Sequence, residues 1–304
     1  MKPQLGVIIV SYNVKEFLFK CIISVQQDCP DAEILVVDNN SSDGSTEMIK
    51  QNFSAVKLIE NKENKGFSPA NNQGISISHG EYILLLNPDT EVLPGTISKM
   101  LDYISHTREN SIIAPQLLNA DMTVQISAWW FPTAWEIFFE AFFIHKLVCI
   151  SEYPPSIVDQ TFEANTLSGA ALMFRTTMKE KFLDENLFWM EDVDLCYRNK
   201  NSGGKNIYFP EAKIIHHIGQ SSKKNYRIAI SNQLISKLKF FKKHKKYLSF
   251  SFSSIFIFIH ILLRIVIFAV FSSFLKKFQQ KLDAYRYTLI KFLKYIFTGY
   301  ASIN

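Results

Sequence analysis

Several things are scarce in this chain of 304 residues, and each scarcity closes a possibility. It has only four cysteines, Cys21, Cys29, Cys149 and Cys196, far apart and without a C-x-x-C pair. That excludes a disulfide framework and a thiolate zinc site, and fits reduced thiols in a reducing compartment. The N-terminus, M-K-P-Q-L-G-V-I-I-V-S-Y-N, has too short an apolar run for a secretion signal, so the body is expected to stay in the cytoplasm. Acids almost vanish from the C-terminal end: residues 234–304 hold 13 Lys and Arg against one acid, Asp283. The net charge of +5 therefore leaves −7 for residues 1–233. An acidic body lacks the basic face that a phosphate backbone demands, so nucleic acid is excluded as a partner.

What is present is a globular composition, 47% hydrophobic with 26 phenylalanines. The length suits one large domain with an appendage. Along the first half, short β-branched runs alternate with helical stretches. Strands are predicted at 7–10, 33–37, 56–60, 82–86 and 112–114, and helices near 15–27, 45–52, 68–79 and 95–106. Alternation at this spacing implies parallel βαβ units with right-handed crossovers.

In such sheets ligands bind beyond the carboxyl ends of the strands. Those ends form a consistent polar set: Ser11-Tyr12-Asn13, then Asp38-Asn39-Asn40, then Asn61 through Gly66-Phe67, then Asn87-Pro88-Asp89. One such loop is ordinary turn chemistry. Four on one sheet edge make a crevice. Asp43 and Ser45 stand just ahead of a helical pattern and read as its cap.

Gln125 to Cys149 holds three tryptophans and five phenylalanines, and reads as a buried helix, an apolar acceptor groove or a face touching lipid. Thr166–Arg175 reads as a strand containing Ser168-Gly169. Ile207–His216 reads as a strand region broken by Pro210.

The densest cluster is F-W-M-E-D-V-D-L-C at 188–196, where Glu191, Asp192 and Asp194 follow an apolar run. A carboxylate against apolar surface is poorly solvated and gains proton affinity, as a general base requires. Acids in a first helical turn also simply favour the helix dipole. On a helix, Glu191 and Asp194 share one face and Asp192 points elsewhere.

The ordered blocks V-S-Y-N (10–13), V-V-D-N-N-S-S-D-G-S (36–45), N-K-G-F-S-P-A-N-N-Q-G (64–74), L-L-L-N-P-D (84–89), S-G-A (168–170), E-D-V-D-L-C-Y-R (191–198) and H-H-I-G-Q-S (216–221) resemble family-2 glycosyltransferases of the GT-A fold. Within that family, N-P-D and E-D-x-D-L-C resemble the bacterial branch that includes rhamnosyltransferases. The resemblance spans residues 5–222. It implies an α/β fold with a mostly parallel central sheet, and transfer of a sugar from a nucleoside-diphosphate donor to an acceptor hydroxyl with inversion. It places the donor nucleotide on Ser11, Tyr12, Asn13, Asp38, Asn39, Gly66, Phe67, Asn72, Asn87 and Asp89. A divalent cation, Mg²⁺ or Mn²⁺, would be held by Asp89 and His216, with His217 the competing assignment. Asp192 becomes the catalytic base, with Trp189, Glu191 and Asp194 on the acceptor side. Asn87 departs from the family's D-x-D motif, which leaves one carboxylate for the cation.

Ser249–Leu275 is nearly unbroken apolar sequence, long enough to cross a bilayer of about 30 Å. Six lysines precede it, and six Lys and Arg follow. Positive flanks on both sides oppose a simple span and favour attachment to one leaflet. Lys281–Phe297 has an interfacial, aromatic and basic pattern.

The expected organisation is a catalytic domain over residues 1–233 and a membrane-associated helical region over 234–304. The expected enzyme moves a sugar, with rhamnose the candidate, from a dTDP- or UDP-sugar to a saccharide acceptor, lipid-linked, in cell-surface polysaccharide synthesis. It would work on the cytoplasmic side of the cell membrane. The alternatives are transfer directly to a polyprenyl phosphate, and a degenerate nucleotide-binding scaffold.

Overall fold

The computed structural model describes residues 4–107, 110–144, 152–178, 183–217, 226–245, 247–272 and 276–299. They divide into two compact units. The first comprises Met1–Trp130, Glu152–Asp184 and Glu191–Ser221, and the second Phe131–Ser151, Glu185–Met190 and Ser222–Asn304. A boundary at 233/234 would cut a continuous helix, Tyr226–His244, so the helical unit begins earlier and includes two inserted segments.

The first unit is built on β1 (Leu5–Ser11), β2 (Glu33–Asp38), β3 (Lys57–Glu60) and β4 (Tyr82–Leu86), joined by α1 (Lys15–Asp28), α2 (Ser45–Asn52) and α3 (Phe67–Ile77). β1 pairs in parallel with both β2 and β4, and β2 in parallel with β3. The strand order 3-2-1-4 reverses direction at β1, which makes the carboxyl ends of β1 and β4 the switch point of the sheet. All seven residues of β1 and all five of β4 are buried, as expected of strands covered on both faces. Helix α3 lies close on β1 because residue 74 is glycine: a Cβ there would fall 2.5 Å from Ile8 Cγ2.

Beyond β4 the sheet becomes mixed. β5 (Thr90–Val92) and α4 (Thr96–Ser105) lead to β6 (Ser111–Leu118), which carries β7 (Val124–Gln125) at its edge. Then come β8 (Ala128–Trp129), β9 (Phe162–Glu163), β10 (Thr166–Leu167) and β11 (Ala171–Arg175), which runs antiparallel between β4 and β6. Thr166–Arg175 is thus two strands. Ser168 to Ala170 turn the chain from the small β8–β10 sheet into the main one. β12 (Lys205–His216) passes through Pro210 without ending; the register against β6 shifts between Phe209 and Lys213, and the irregularity absorbs the missing donor.

Between β11 and β12 lies α6 (Glu191–Asn201). The aromatic stretch from Gln125 is not one buried helix. It supplies β7 and β8, and then only α5 (Ala134–Ala141), on which Trp135 is 64% exposed. Residues 145–150, the end of that stretch, lie outside the described residues.

The second unit holds α5, α7 (Tyr226–His244), α8 (Tyr247–Ser272) and α9 (Lys276–Thr298). Helix α8 is 26 residues long and apolar enough to cross a membrane. It is not uniform around its axis. Ser253, Ile257, His260, Ile261 and Arg264 form a buried seam. Arg264 donates from Nη1 to the Ala141 carbonyl and from Nη2 to that of Glu140, both at 2.7 Å, and so caps the C-terminus of α5. The side chain of Lys237 pairs with the Glu140 carboxylate at 2.7 Å.

Candidate active site

The polar strand ends of the first unit gather at the switch point, where hydrogen bonds separate braces from free groups. Asn39 donates its backbone N–H to the Ser11 carbonyl and its Nδ2 to the Gly66 carbonyl, while its Oδ1 accepts from Asn61 Nδ2. Asn13, at φ 56°, accepts from the Ser42 N–H on Oδ1. Asp43 accepts the Lys15 N–H on Oδ2 and the Ser45 N–H on Oδ1, so it caps α1 as well as starting α2. These groups hold loops in place.

Ser11 and Asp38 differ. They are register partners at the ends of β1 and β2, and both are buried. Asp38 Oδ2 accepts the Ser41 N–H, but Asp38 Oδ1 and Ser11 Oγ have no hydrogen-bond partner among the described residues. Buried polar atoms without partners are costly and mark where a ligand's donors and acceptors fit. Tyr12 beside them is 37% exposed. Gly66 and Phe67 open α3 and are half-buried. Asn72 faces elsewhere: its Nδ2 donates to the Leu183 carbonyl and its Oδ1 accepts the Leu183 N–H, a two-bond clamp on that segment.

The second half of the site forms around the β4–β5 turn. The Asn87 N–H donates to the Ala170 carbonyl, tying the N-P-D turn to S-G-A. From behind, the Asn87 carbonyl accepts Thr90 Oγ1 at 2.7 Å and Cys21 Sγ at 3.6 Å. Burial pushes the Cys21 thiol up to about 12, so it packs as an inert group. β12 arrives antiparallel to β5, with His216 opposite Thr90, and the His217 N–H donates to the Asp89 carbonyl.

The two histidines then part. His217 Nε2 lies 2.9 Å from Glu91 Oε1, and its ring packs on Phe17. His216 Nε2 faces Asp89 Oδ1 at 3.5 Å. Of the pair, His216 is the one on the Asp89 carboxylate.

Behind His216 stands Gln125, whose role the sequence did not suggest. Its Nε2 donates to Asn119 Oδ1 and to the His216 carbonyl, which turns Oε1 toward His216 Nδ1 at 2.8 Å. Gln125 Oε1 therefore takes the hydrogen of Nδ1, and Nε2 is the ring atom that faces the carboxylate. Nε2 and the Asp89 carboxylate oxygen stand 3.5 Å apart. A divalent cation could be held by this pair. For metal–ligand bonds of about 2.1 Å, adjacent ligands stand about 3 Å apart, close to this spacing. No cluster of three or more His, Cys, Asp or Glu occurs among the described residues, where Asp89 and His216 are the two candidate ligands. Mg²⁺ and Mn²⁺ accept two such ligands when waters and phosphate oxygens complete the shell.

Asp192 lies in the first turn of α6. Its Oδ2 accepts the Gly169 N–H at 2.9 Å and its Oδ1 the Val193 N–H at 2.8 Å. Burial raises its proton affinity above the usual carboxylate range, against the lowering effect of those two hydrogen bonds. Gly169 leaves the room: a Cβ there would sit 3.3 Å from Asp192 Cβ and 3.4 Å from its Oδ2. Through Gly169 and Ala170, Asp192 is two hydrogen bonds from the N-P-D turn.

Asp194 is fully buried instead, and its Oδ2 accepts Arg198 Nε at 2.7 Å one turn along α6. It cannot meet an acceptor; it braces the helix. Glu191, the first residue of α6, is half-buried. Trp189 belongs to the second unit, with φ 71° and 46% exposure. Ile218–Ser221, which complete H-H-I-G-Q-S, lie outside the described residues.

Residues 6–147 match the model of glycosyl transferase family 2. The chain carries a family 2 glycosyl transferase domain. An N-acetylglucosaminyl-diphospho-decaprenol L-rhamnosyltransferase of Mycobacterium tuberculosis is 26% identical over 242 residues, which are 73% of this chain and 78% of the relative. Among solved structures, a Pyrobaculum calidifontis mannosyltransferase in complex with GDP-mannose and Mn²⁺ superposes with TM-score 0.59 at 11% identity, over 97% of this chain and 88% of that one. GalNAc-T7 with UDP, GalNAc and Mn²⁺ superposes with TM-score 0.58 at 16% identity, over 76% of this chain; the match spans about half of that protein, 47%. The family 2 domain has the GT-A fold, with a mixed, mostly parallel sheet flanked by helices, followed here by an apolar C-terminal helix.

Proposed function

We propose that the family 2 domain transfers a sugar with inversion from a nucleoside-diphosphate donor to a hydroxyl of a saccharide carried on a polyprenyl diphosphate. The donor is a dTDP- or UDP-sugar, with dTDP-rhamnose the first to test, and the product enters cell-surface polysaccharide. The single observation that carries this reading is the Asp89–His216 pair at 3.5 Å, on the N-P-D turn to which Gly169 and Ala170 tie an Asp192 of raised proton affinity. The M. tuberculosis relative, named for a lipid-linked acceptor and for rhamnose, supports the substrate class.

Asp89 and His216 would hold a divalent cation, which supplies charge neutralisation for the departing diphosphate. Gln125 fixes His216 with Nε2 toward that place. Ser11 Oγ and Asp38 Oδ1 take the polar atoms of the nucleoside, and Tyr12 packs on its base. Asn87, Gly66 and Phe67 line the diphosphate side, while Asn13, Asn39 and Asn72 hold the loops. Asp192 takes the proton of the acceptor hydroxyl as its oxygen bonds to the anomeric carbon and the bond from that carbon to the diphosphate oxygen breaks. An acceptor phosphate oxygen is already ionised and needs no such base, so a hydroxyl acceptor fits Asp192 better. Glu191 is assigned to the acceptor.

The two units then divide the labour: the first carries the chemistry, and the second attaches the enzyme to the cytoplasmic side of the cell membrane, to meet a polyprenyl-linked acceptor. Thermal stabilisation by a panel of nucleoside diphosphates and their sugars, with and without Mn²⁺, tests the donor half. The reading expects stabilisation by a nucleoside diphosphate that grows with Mn²⁺. No stabilisation by any of them contradicts it.

A further inference from the structure

We infer that the helical unit lies in the plane of one anionic leaflet, with α8 half-immersed along its length and crossing nothing. This rests on the membrane attachment proposed above and specifies its geometry. Length and composition alone would let α8 span a bilayer. Its packing argues otherwise.

Helix α9 runs antiparallel along α8. Phe292 packs on Phe258 with ring centroids 5.7 Å apart, Tyr285 on Phe268 at 5.6 Å, and Phe278 on Phe268 at 5.8 Å. Wherever α8 goes, α9 goes with it. Yet α9 exposes Gln279, Gln280, Asp283 and Arg286, the last near its midpoint. A perpendicular span would place an exposed carboxylate and a guanidinium inside the hydrocarbon, where ionised groups are found facing a bundle interior or a water-filled cavity rather than lipid.

An in-plane orientation avoids that. Phe252, Ile255, Leu262, Val266 and Val270 are exposed and share one side of α8, opposite the buried seam of Ser253, His260 and Arg264. Trp135 of α5 extends this surface: its ring lies 6.5 Å from that of Phe256, which in turn packs on Phe252 at 6.2 Å. An exposed apolar surface of this kind on one side of a helical unit marks a contact with something. The charge says what. Residues 234–304 carry 13 Lys and Arg against one acid, which complements anionic lipid and repels a basic partner.

The test uses the full chain added to preformed sealed vesicles containing phosphatidylglycerol. The variant Gln280→Cys is treated with a membrane-impermeant maleimide, and its peptide is read by mass spectrometry so that the native cysteines do not interfere. An in-plane unit is labelled equally before and after detergent. In a second arm, Ile255→Asp with Val266→Asp abolishes co-sedimentation with the vesicles and leaves the melting temperature in solution unchanged. Labelling of residue 280 only after detergent shows a crossing hairpin and overturns the in-plane geometry while leaving attachment intact. Failure of the unaltered chain to bind anionic vesicles overturns both.

Discussion

Gln125 Oε1 stands 2.8 Å from His216 Nδ1 and thereby decides which nitrogen of that ring faces Asp89. The amide is itself held by Asn119 and by the His216 carbonyl, so it has no freedom to rotate. Partners of this kind typically contribute roughly 10–100-fold to metal affinity. Gln125→Ala is expected to weaken Mn²⁺ binding by about that factor, measured by calorimetry or by the Mn²⁺ paramagnetic signal with nucleoside diphosphate present. Unchanged Mn²⁺ affinity would remove Gln125 from the account.

Asp192 gives a pH dependence of definite sign. Burial raises its proton affinity, and the base works only when ionised. The rate should therefore be full at high pH and fall as pH drops through a value above the ordinary aspartate range, near 3.9. A plot of log kcat against pH checks this. An acidic limb at or below the ordinary range would mean that another group takes the proton.

Gly169 and Asp192 are so close that one methyl group matters. Gly169→Ala places a Cβ 3.3 Å from Asp192 Cβ and displaces the carboxylate. Misplacement of a reacting group by about 1 Å can cost on the order of 100-fold in rate. We expect a large fall in kcat, little change in melting temperature and retained donor binding. A variant with unaltered kcat would show that Asp192 is not the base.

Asp194 separates structure from chemistry within the same cluster. It is fully buried and paired with Arg198, whose side chain is 25% exposed. Removing one partner of a buried pair is strongly destabilising, and Asp194→Ala should cost about 3 kcal/mol of stability, read by denaturant unfolding. The KM for the acceptor in the surviving folded protein should not change. A selective rise in that KM would return Asp194 to the acceptor side.

Much of this was legible in the sequence because it was written in local patterns. Three apolar runs and the mixed run Lys57–Glu60, each leading into Ser, Asp or Asn, marked the parallel half of the sheet and its switch point. Tyr82–Leu86 and Ser45–Asn52 are bounded where the pattern changes. What stayed hidden depends on contacts between distant segments. Gln125 meets His216 across 91 residues, and nothing local to V-Q-I-S announces it. Asp194 is acidic and adjacent to Asp192, so only packing distinguishes a brace from a base. The aromatic run after Gln125 misled because its residues serve two short strands and one short helix, where composition alone suggested a single long one. Arg264 interrupts the apolar run of α8, and its role as the cap of α5 appears only when α5 and α8 are seen together.

The central claim is that Asp89, His216 and Asp192 form one sugar-transfer site. It is tested most directly by measuring transfer from dTDP-rhamnose and other nucleoside-diphosphate sugars to a polyprenyl-diphosphate-linked saccharide with Mn²⁺, for the unaltered chain and for Asp192→Asn. The account predicts an inverted product from the unaltered chain with at least one donor, and loss of turnover in Asp192→Asn while that donor still binds. Equal turnover by both proteins would contradict it.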